Sequence, residues 1–325
     1  MSTKDTVLAL FERNKGFFVS GERIAEELNI SRTAVWKAVK KLQQEGYEIK
    51  AITNRGYCLD KESDVLTQRG IISCLNEDNR FGLRPEVFVR VDSTNTVCVE
   101  KAAVGEDEGY VAIAGSQSAG RGRRGRAFFS PAETGIYMSI LLKPSDLEAP
   151  QVLRVTTMAA AAMSEAIEAV THKKADIKWV NDIYMKGKKV CGILTEAAFS
   201  SSVRDPDYVI VGIGINAYKP KDGFPEAIAD IAGSIFDYCS PGLKNRLVAE
   251  ILDRFMAYYK GVSANDYLEE YRKRSIVIGK DVTVSVKGKP VNAHVLGIDD
   301  ECGLMVRYDD GSEETLRSGE VSIKL

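Results

Sequence analysis

Histidine is nearly missing from these 325 residues, and the two present, His172 and His294, lie far apart in the chain. A histidine-rich metal centre is therefore a poor expectation. The six cysteines (Cys58, Cys74, Cys98, Cys191, Cys239 and Cys302) contain no C-x-x-C pair, which argues against a zinc ribbon and a disulfide framework. Scattered thiols of this kind fit a reducing compartment. No apolar run approaches membrane-spanning length, and the opening Met-Ser-Thr-Lys-Asp has no apolar leader core. A soluble, cytoplasmic chain without membrane contact is the expectation. An excess of positive charge is also lacking: 44 Lys and Arg stand against 46 Asp and Glu, a formal net charge of −2. Any nucleic-acid binding must then come from a local patch. There is no G-x-x-x-x-G-K-[ST] phosphate loop, internal repeat or low-complexity tract.

Such a length favours two or three domains, and the pattern divides at about 60 and 275. In residues 1–62, Val7, Leu8 and Phe11 share one helical face, and Ile24, Ala25 and Leu28 follow the N-cap Ser20. Asn29 breaks that short helix. Ser31 caps a third helix, in which Val35, Val39 and Leu42 align, and Gly46 ends it. Tyr47–Leu59, with Asn54-Arg55-Gly56 at its middle, reads as a β-hairpin. A helix-turn-helix followed by a hairpin is a winged helix. Between Ser31 and Arg55 stand six Lys or Arg and two Glu. Solvation of a packing face explains a charge run alone, but charge, caps and hairpin together point to DNA. Ser31, Arg32, Thr33, Trp36, Lys37, Lys40 and Arg55 are the candidate DNA-facing residues.

The polar stretch 60–66 reads as a linker to a middle segment, 67–272. Strands are expected at Val87–Val91, Tyr110–Ser116, Ile136–Leu142, Ile177–Val180, Val190–Glu196 and Tyr208–Ile215. One helix is expected from about Ala149 to Val170, and another carries the stripe Leu247, Ile251, Phe255 and Tyr258. Short turns such as Lys186-Gly187-Lys188 favour antiparallel hairpins, hence an α+β fold with helices on one side of the sheet. Residues 275–325 read as a small all-β module of about five strands.

The heptapeptide Gly120–Arg126, GRGRRGR, concentrates arginine and glycine as no other stretch does. It satisfies G-x-G-x-x-G, yet Ala127-Phe128-Phe129-Ser130-Pro131 follows where a dinucleotide site needs a helix. Its glycines permit a concave nest of backbone N–H groups, and its arginines carry donors matched to carboxylate and phosphate. A loop that orders around an anionic ligand is the expectation. An arginine-rich nucleic-acid patch is the plainer alternative. Two further segments, Asp92-Ser93-Thr94-Asn95 and Lys178-Trp179-Val180-Asn181-Asp182 with Lys189, are dense in polar groups. Each taken singly could be a capping turn or a hairpin.

In chain order, these segments, with Gln117, Ala119, Phe129-Ser130-Pro131, Gly192-Ile193-Leu194, Glu196 and Gly212-Ile213-Gly214-Ile215-Asn216, resemble the biotin–protein ligases. With the N-terminal unit, the resemblance is to the bifunctional ligases that also repress a biotin operon. It spans essentially the whole chain, and Val180 departs from it where the family usually has proline. The resemblance implies a class II synthetase-like central mixed or antiparallel sheet with helices, and a C-terminal β-barrel. It also implies ATP-dependent formation of biotinyl-5′-AMP and transfer of biotin to a lysine of a biotin carboxyl carrier protein domain.

By position, the resemblance assigns Ser93, Thr94, Asn95, Gln117 and the Arg121–Arg123 segment to biotin and Lys189 to its carboxylate. Gly120, Gly122 and Arg124 would close with the loop over the adenylate. Phe128 or Phe129 would cover the adenine, Asp182 would be linked to Mg²⁺, and Gly192, Gly212, Gly214 and Asn216 would line the pocket. Lys189, Arg121 and Asp182 are the candidate catalytic residues. Operator DNA and a ligand-promoted homodimer complete the implied partners. Two other readings are a ligase whose winged helix does not bind DNA and a biotin sensor without ligase activity.

Overall fold

The computed structural model describes residues 2–44, 47–60, 64–144, 152–199, 206–261, 266–286, 289–319 and 321–323. Gly46, the linker positions 61–63, the expected helix start near 149–150 and the turn at 287–288 lie outside them. Contacts divide the chain into two compact units, Met1–Val65 with Tyr238–Lys244 and Leu66–Asp237 with Asn245–Leu325.

The first unit opens with α1 (Thr3–Arg13), α2 (Gly21–Glu27) and α3 (Arg32–Gln44). Serine starts each helix: Ser2 and Asp5 form a capping box, Ser20 Oγ accepts from the Arg23 N–H, and Ser31 Oγ accepts from the Ala34 N–H. Each cap contributes about 1 kcal/mol. Val35, Ala38, Val39 and Leu42 bury one face of α3 against Val7, Leu10, Phe11 and Ile24. The hairpin is β1 (Ile49–Ile52) and β2 (Gly56–Leu59), with Ile52 opposite Gly56. Tyr57 also exchanges two backbone hydrogen bonds with Val19. That contact requires glycine at 56, where φ is 94° and a Cβ would lie 2.2 Å from the Val19 carbonyl oxygen. The expected winged helix is present.

The second unit begins with α4 (Gln68–Cys74), α5 (Glu77–Gly82), β3 (Arg84–Phe88), α6 (Thr94–Ala103), β4 (Tyr110–Ala114) and β5 (Gly135–Leu142). It continues through α7 (Val152–Thr171), β6 (Asp176–Lys178), β7 (Asp182–Met185), β8 (Lys188–Ala198) and β9 (Tyr208–Asn216). Then come α8 (Glu226–Ala229), α9 (Leu243–Lys260) and α10 (Asp266–Arg274). The last strands are β10 (Asp281–Val286), β11 (Lys289–Ile298), β12 (Leu304–Tyr308), β13 (Glu313–Leu316) and β14 (Val321–Ile323).

Seven strands make one sheet in the order β3-β4-β5-β9-β8-β7-β6; β3 and β4 run parallel and the other pairs antiparallel. Helices cover both faces, not the one expected. Thr156 of α7 bonds Thr195 of β8 at 2.7 Å, so the odd-numbered face of β8 lies under α7. Cys98 of α6 packs with Ala112, Leu141 and Ile210 on the opposite face. Alternation of side chains then leaves Gly192, Leu194 and Glu196 of β8, Gly212 and Gly214 of β9, and Tyr137 and Ser139 of β5 on that second face. Next to α6 this face is uncovered, and the cavity opens there.

The last five strands form an antiparallel sheet in the order β13-β12-β11-β10-β14, giving the small β module expected. It meets the main sheet at Trp179, whose indole Nε1 donates to the Cys302 carbonyl at 3.0 Å. The buried Tyr271 hydroxyl of α10 donates to the Val180 carbonyl at 3.0 Å. The Trp179–Val180 peptide bond is cis. No helix among the described residues is long and apolar enough to cross a membrane.

Candidate active site

A cavity of about 520 Å³ lies over the uncovered sheet face. Its lining includes Ser93, Thr94, Asn95, Gln117, Arg121, Gly122, Arg123, Phe128, Asp182, Lys189, Gly192, Gly212, Gly214 and Asn216, so segments spread over more than a hundred residues converge as expected. Gly120 and Arg124 do not line it. Gly120 is instead packed against Ser130 and the Phe128 carbonyl, and Arg124, exposed with φ at 56°, forms the loop tip.

One end of the cavity is built mainly from neutral polar groups, with the Arg121–Glu196 ion pair at its edge. Ser93, Thr94 and Asn95 are buried at the start of α6. The Thr94 N–H donates to Gln117 Oε1 at 2.9 Å, and Gln117 Nε2 donates to Ser130 Oγ at 3.0 Å. Ser139 Oγ lies 2.6 Å from Asn95 Oδ1 and 2.7 Å from Thr94 Oγ1. Asn95 Nδ2 donates to Glu196 Oε2 at 2.6 Å, and an Arg121 Nη donates to the same oxygen at 3.2 Å. The floor needs its glycines: a Cβ on Gly212 would lie 2.1 Å from Asn95 Oδ1, and one on Gly214 would lie 2.6 Å from the Phe128 ring. Phe128 therefore lies on the sheet itself, edge-on to Tyr137 with centroids 6.3 Å apart.

The other end is charged. Lys189 Nζ lies 2.6 Å from Asp182 Oδ1, and both side chains are mostly buried. Lys189 is held by its backbone, which exchanges hydrogen bonds with Ile231 and Gly233. Arg123 donates to Asn181 Oδ1 at 2.9 Å, while Asn181 Nδ2 donates to the Ile193 carbonyl at 2.8 Å. Burial pushes the thiol pKa of the cavity-lining Cys191 well up, and the nearby Lys189 offsets this only partly, which disfavours a thiolate. Burial likewise raises the Tyr137 phenol and keeps it neutral.

The glycine–arginine loop satisfies part of its backbone internally. The Gly122 N–H donates to the Arg126 carbonyl, the Arg126 N–H to the Arg123 carbonyl, and the Phe128 N–H to the Gly120 carbonyl. The loop is a small hairpin with one 3₁₀ turn at Arg123–Gly125, and of its three glycines Gly125 has positive φ. The N–H groups of Gly122 and Arg126 are thereby spent inside the loop, and Arg121 and Arg123 line the cavity.

The residues missed from the sequence are those with unremarkable neighbours. Ser139 is a lone serine in an apolar strand, Tyr137 reads as core, and Gly319, Val321 and Ser322 come from the C-terminal module. Among the described residues no three His, Cys, Asp or Glu gather to hold a metal. Asp182 offers a single carboxylate, which suits a magnesium ion whose remaining ligands are phosphates and waters rather than a protein cage.

In the first unit, Arg32, Thr33, Trp36, Lys37 and Lys40 of α3 and its cap Ser31 are all exposed, away from the buried stripe. The exposed Arg55 sits on the wing with its guanidinium 4.4 Å over the Phe18 ring. Sequence alone left Phe18 unmarked.

Comparison with known proteins agrees with this geometry. A model of the Biotin/lipoate A/B protein ligase family matches residues 87–216. An HTH domain model matches residues 3–58, and a Biotin protein ligase C terminal domain model matches 277–324. The Bifunctional ligase/repressor BirA of Bacillus spizizenii is 34% identical over 317 residues, covering 94% of each chain. That of Escherichia coli is 26% identical over 314 residues, covering 95% of this chain and 94% of the relative. A biotin protein ligase from Aquifex aeolicus, solved in complex with biotin and ATP, aligns at a TM-score of 0.61 and 26% identity over 74% of this chain and 98% of that one. The chain belongs to the family of bifunctional biotin ligase/repressor proteins.

Proposed function

We infer that this chain activates biotin with ATP, passes it to a lysine of a biotin carboxyl carrier protein domain, and represses transcription in response to biotin. The observation that carries this reading is the division of one cavity into a neutral, hydrogen-bonding end and a charged end around Lys189. Biotin has that same division, with an uncharged ureido ring joined by an apolar chain to a carboxylate.

In the first step, a carboxylate oxygen of biotin attacks the α-phosphorus of ATP and pyrophosphate leaves. Carboxylate and polyphosphate repel each other, so fixed positive charge must hold them together. Lys189 supplies it where the carboxylate meets the phosphate, and Asp182 holds the ammonium in place. When bound, Mg²⁺ would rest on Asp182 and neutralise phosphate oxygens. Ser93, Thr94, Asn95 and Gln117 hold the ring, and Phe128 forms a wall. Arg121 and Arg123 bring the loop across the product and limit water at the mixed anhydride. In the second step, the carrier lysine amine attacks the acyl carbon and AMP leaves. Positioning carries much of the rate, with no covalent enzyme intermediate.

Residues 1–62 act as the DNA-binding domain, 67–272 as the ligase domain and 275–325 as a module that completes the cavity. Pairing of two chains when the adenylate is bound would place two winged helices on a two-fold operator. A cytoplasmic location follows from ATP and a carrier domain as substrates. Biotin-dependent exchange of pyrophosphate into ATP tests the enzyme, and its absence would end that reading. Operator binding with and without biotin and ATP tests the repressor, and sedimentation under the same conditions tests pairing.

A further inference from the structure

We propose that Glu196 is a positioning residue that fixes which atoms of the ring-binding wall donate hydrogen bonds and which accept them. This rests on the ligase reading above and deepens it. Glu196 itself is not part of the cavity lining. Its carboxylate bonds two groups that are, Asn95 Nδ2 and the Arg121 guanidinium.

An ionised carboxylate can only accept hydrogen bonds. Asn95 must therefore turn its amide nitrogen toward Glu196 and its oxygen toward Ser139. Ser139 has one proton, and an amide oxygen cannot donate, so that proton goes to Asn95. Ser139 cannot give the same proton to Thr94, so across their 2.7 Å contact the Thr94 hydroxyl is the group able to donate. With its proton held inside the wall, Thr94 Oγ1 presents only lone pairs to the cavity.

The far end of the chain is fixed in the same way. The Phe128 carbonyl accepts from Ser130 Oγ at 2.9 Å, so Ser130 must accept from Gln117 Nε2, and Gln117 Oε1 must face the Thr94 N–H. Thr94 Oγ1 also lies 3.3 Å from Gln117 Oε1, so its proton goes to Ser139 or to Gln117 and in neither case to the cavity. The network offers the cavity an acceptor at Thr94 and remaining N–H groups at Asn95 and Gln117. A ureido ring, with N–H donors beside a C=O acceptor, is its complement.

Glutamine at 196 would remove the constraint. An amide can donate to Asn95 Oδ1, so Asn95 can turn over and Ser139 can give its proton to Thr94. Thr94 would then be free to turn its proton toward the ring N–H, in competition with Gln117 Oε1, and Arg121 would lose its ion pair. The expected result for Glu196→Gln is a KM for biotin raised about tenfold, the scale of one hydrogen bond to a charged network. The maximal exchange rate and the KM for ATP are expected to stay within about twofold. Glu196→Asp, which keeps an acceptor-only group, is expected to recover most of the loss. Desthiobiotin, which keeps the ureido ring and lacks the sulfur, should lose the same factor as biotin.

The measurement is biotin-dependent pyrophosphate exchange on the full-length protein, with the thermal midpoint recorded for each variant. Ser139→Ala breaks the network at its middle without touching Arg121 and should raise the biotin KM similarly, whatever the stability of the glutamine variant. An unchanged biotin KM in either variant would overturn the proposal. So would a fall in maximal rate and thermal midpoint with no change in KM, or a loss for biotin that spares desthiobiotin. If the unaltered protein showed no exchange, the ligase reading itself would fail.

Discussion

The two ends of the cavity handle polarity in opposite ways. At the ring end, buried amides and hydroxyls are bonded to one another in a continuous chain from Phe128 to Glu196, over glycines that admit no side chain. At the other end, an ammonium and a carboxylate lie 2.6 Å apart, and a guanidinium is tied to Asn181. Neutral dipoles can only select a partner by direction and shape, and they lose little to salt. Fixed charges act on any anion and gain most when charge grows in the transition state. On the proposed reading, one cavity separates recognition from chemistry, and each end has its own way of failing.

The charged end is the more costly to lose. Lys189→Ala is expected to slow pyrophosphate exchange by about 10²–10³-fold, the usual effect of deleting one preorganised group that stabilises developing charge. A rate within threefold of the unaltered protein would show that this is not where charge develops. At the ring end, Gly212→Ala should act on binding instead. Its Cβ would meet Asn95 Oδ1 at 2.1 Å, and Asn95 cannot retreat without breaking its bonds to Ser139 and Glu196. The biotin KM is expected to rise by about thirtyfold or more, the equivalent of about 2 kcal/mol, while the KM for ATP holds. Equal changes in both constants would erase the distinction between the two ends.

These positions differ in how far the sequence exposes them. Lys189, Asp182 and the even-numbered glycines of β9 stand out because charge or missing side chains interrupt apolar strands. Glu196 carries the same mark, a carboxylate on the cavity face of β8 after the apolar run Val190–Leu194. Its bond to Asn95 crosses about a hundred residues and has no local trace. Helix α6 was hidden because Thr94, Thr96, Val97 and Val99 are β-branched and weak helix formers. Packing of Cys98 against β5 and β9 secures it instead. The helix placement was half legible: the strands were, but nothing in their pattern told that α6 and α7 take opposite faces. The glycine–arginine loop was only partly legible for a related reason. Its composition allows backbone N–H groups to face a ligand, but does not tell whether a neighbouring carbonyl claims them first.

Between the two ends lies Arg123, which belongs to the loop yet is anchored at Asn181. If the loop closes over the product through that tie, Arg123→Ala should speed release of biotinyl-5′-AMP by about tenfold, the loss of one hydrogen bond to a charged group. Dissociation of preformed adenylate, followed on the full-length protein, measures it. Intact retention in the variant would count against the loop as a lid and would leave Arg123 to the charged end alone.

The smallest effect separates the ends without any substitution. Raising salt from 0.05 to 0.5 M shortens the screening length to a few ångströms, which weakens attraction between the polyphosphate and partly exposed cations. The KM for ATP should rise severalfold. Biotinol, in which an alcohol replaces the carboxylate, should bind with an affinity that changes less than about twofold, since it meets only dipoles at short range. Biotin itself should fall between the two, because its ring sees one end and its carboxylate the other. If biotinol binding weakened with salt as steeply as ATP, the Arg121–Glu196 pair would have to count as part of a charged surface reaching the ring. The neutral end would then be neutral only in its side-chain types, not in the field it presents.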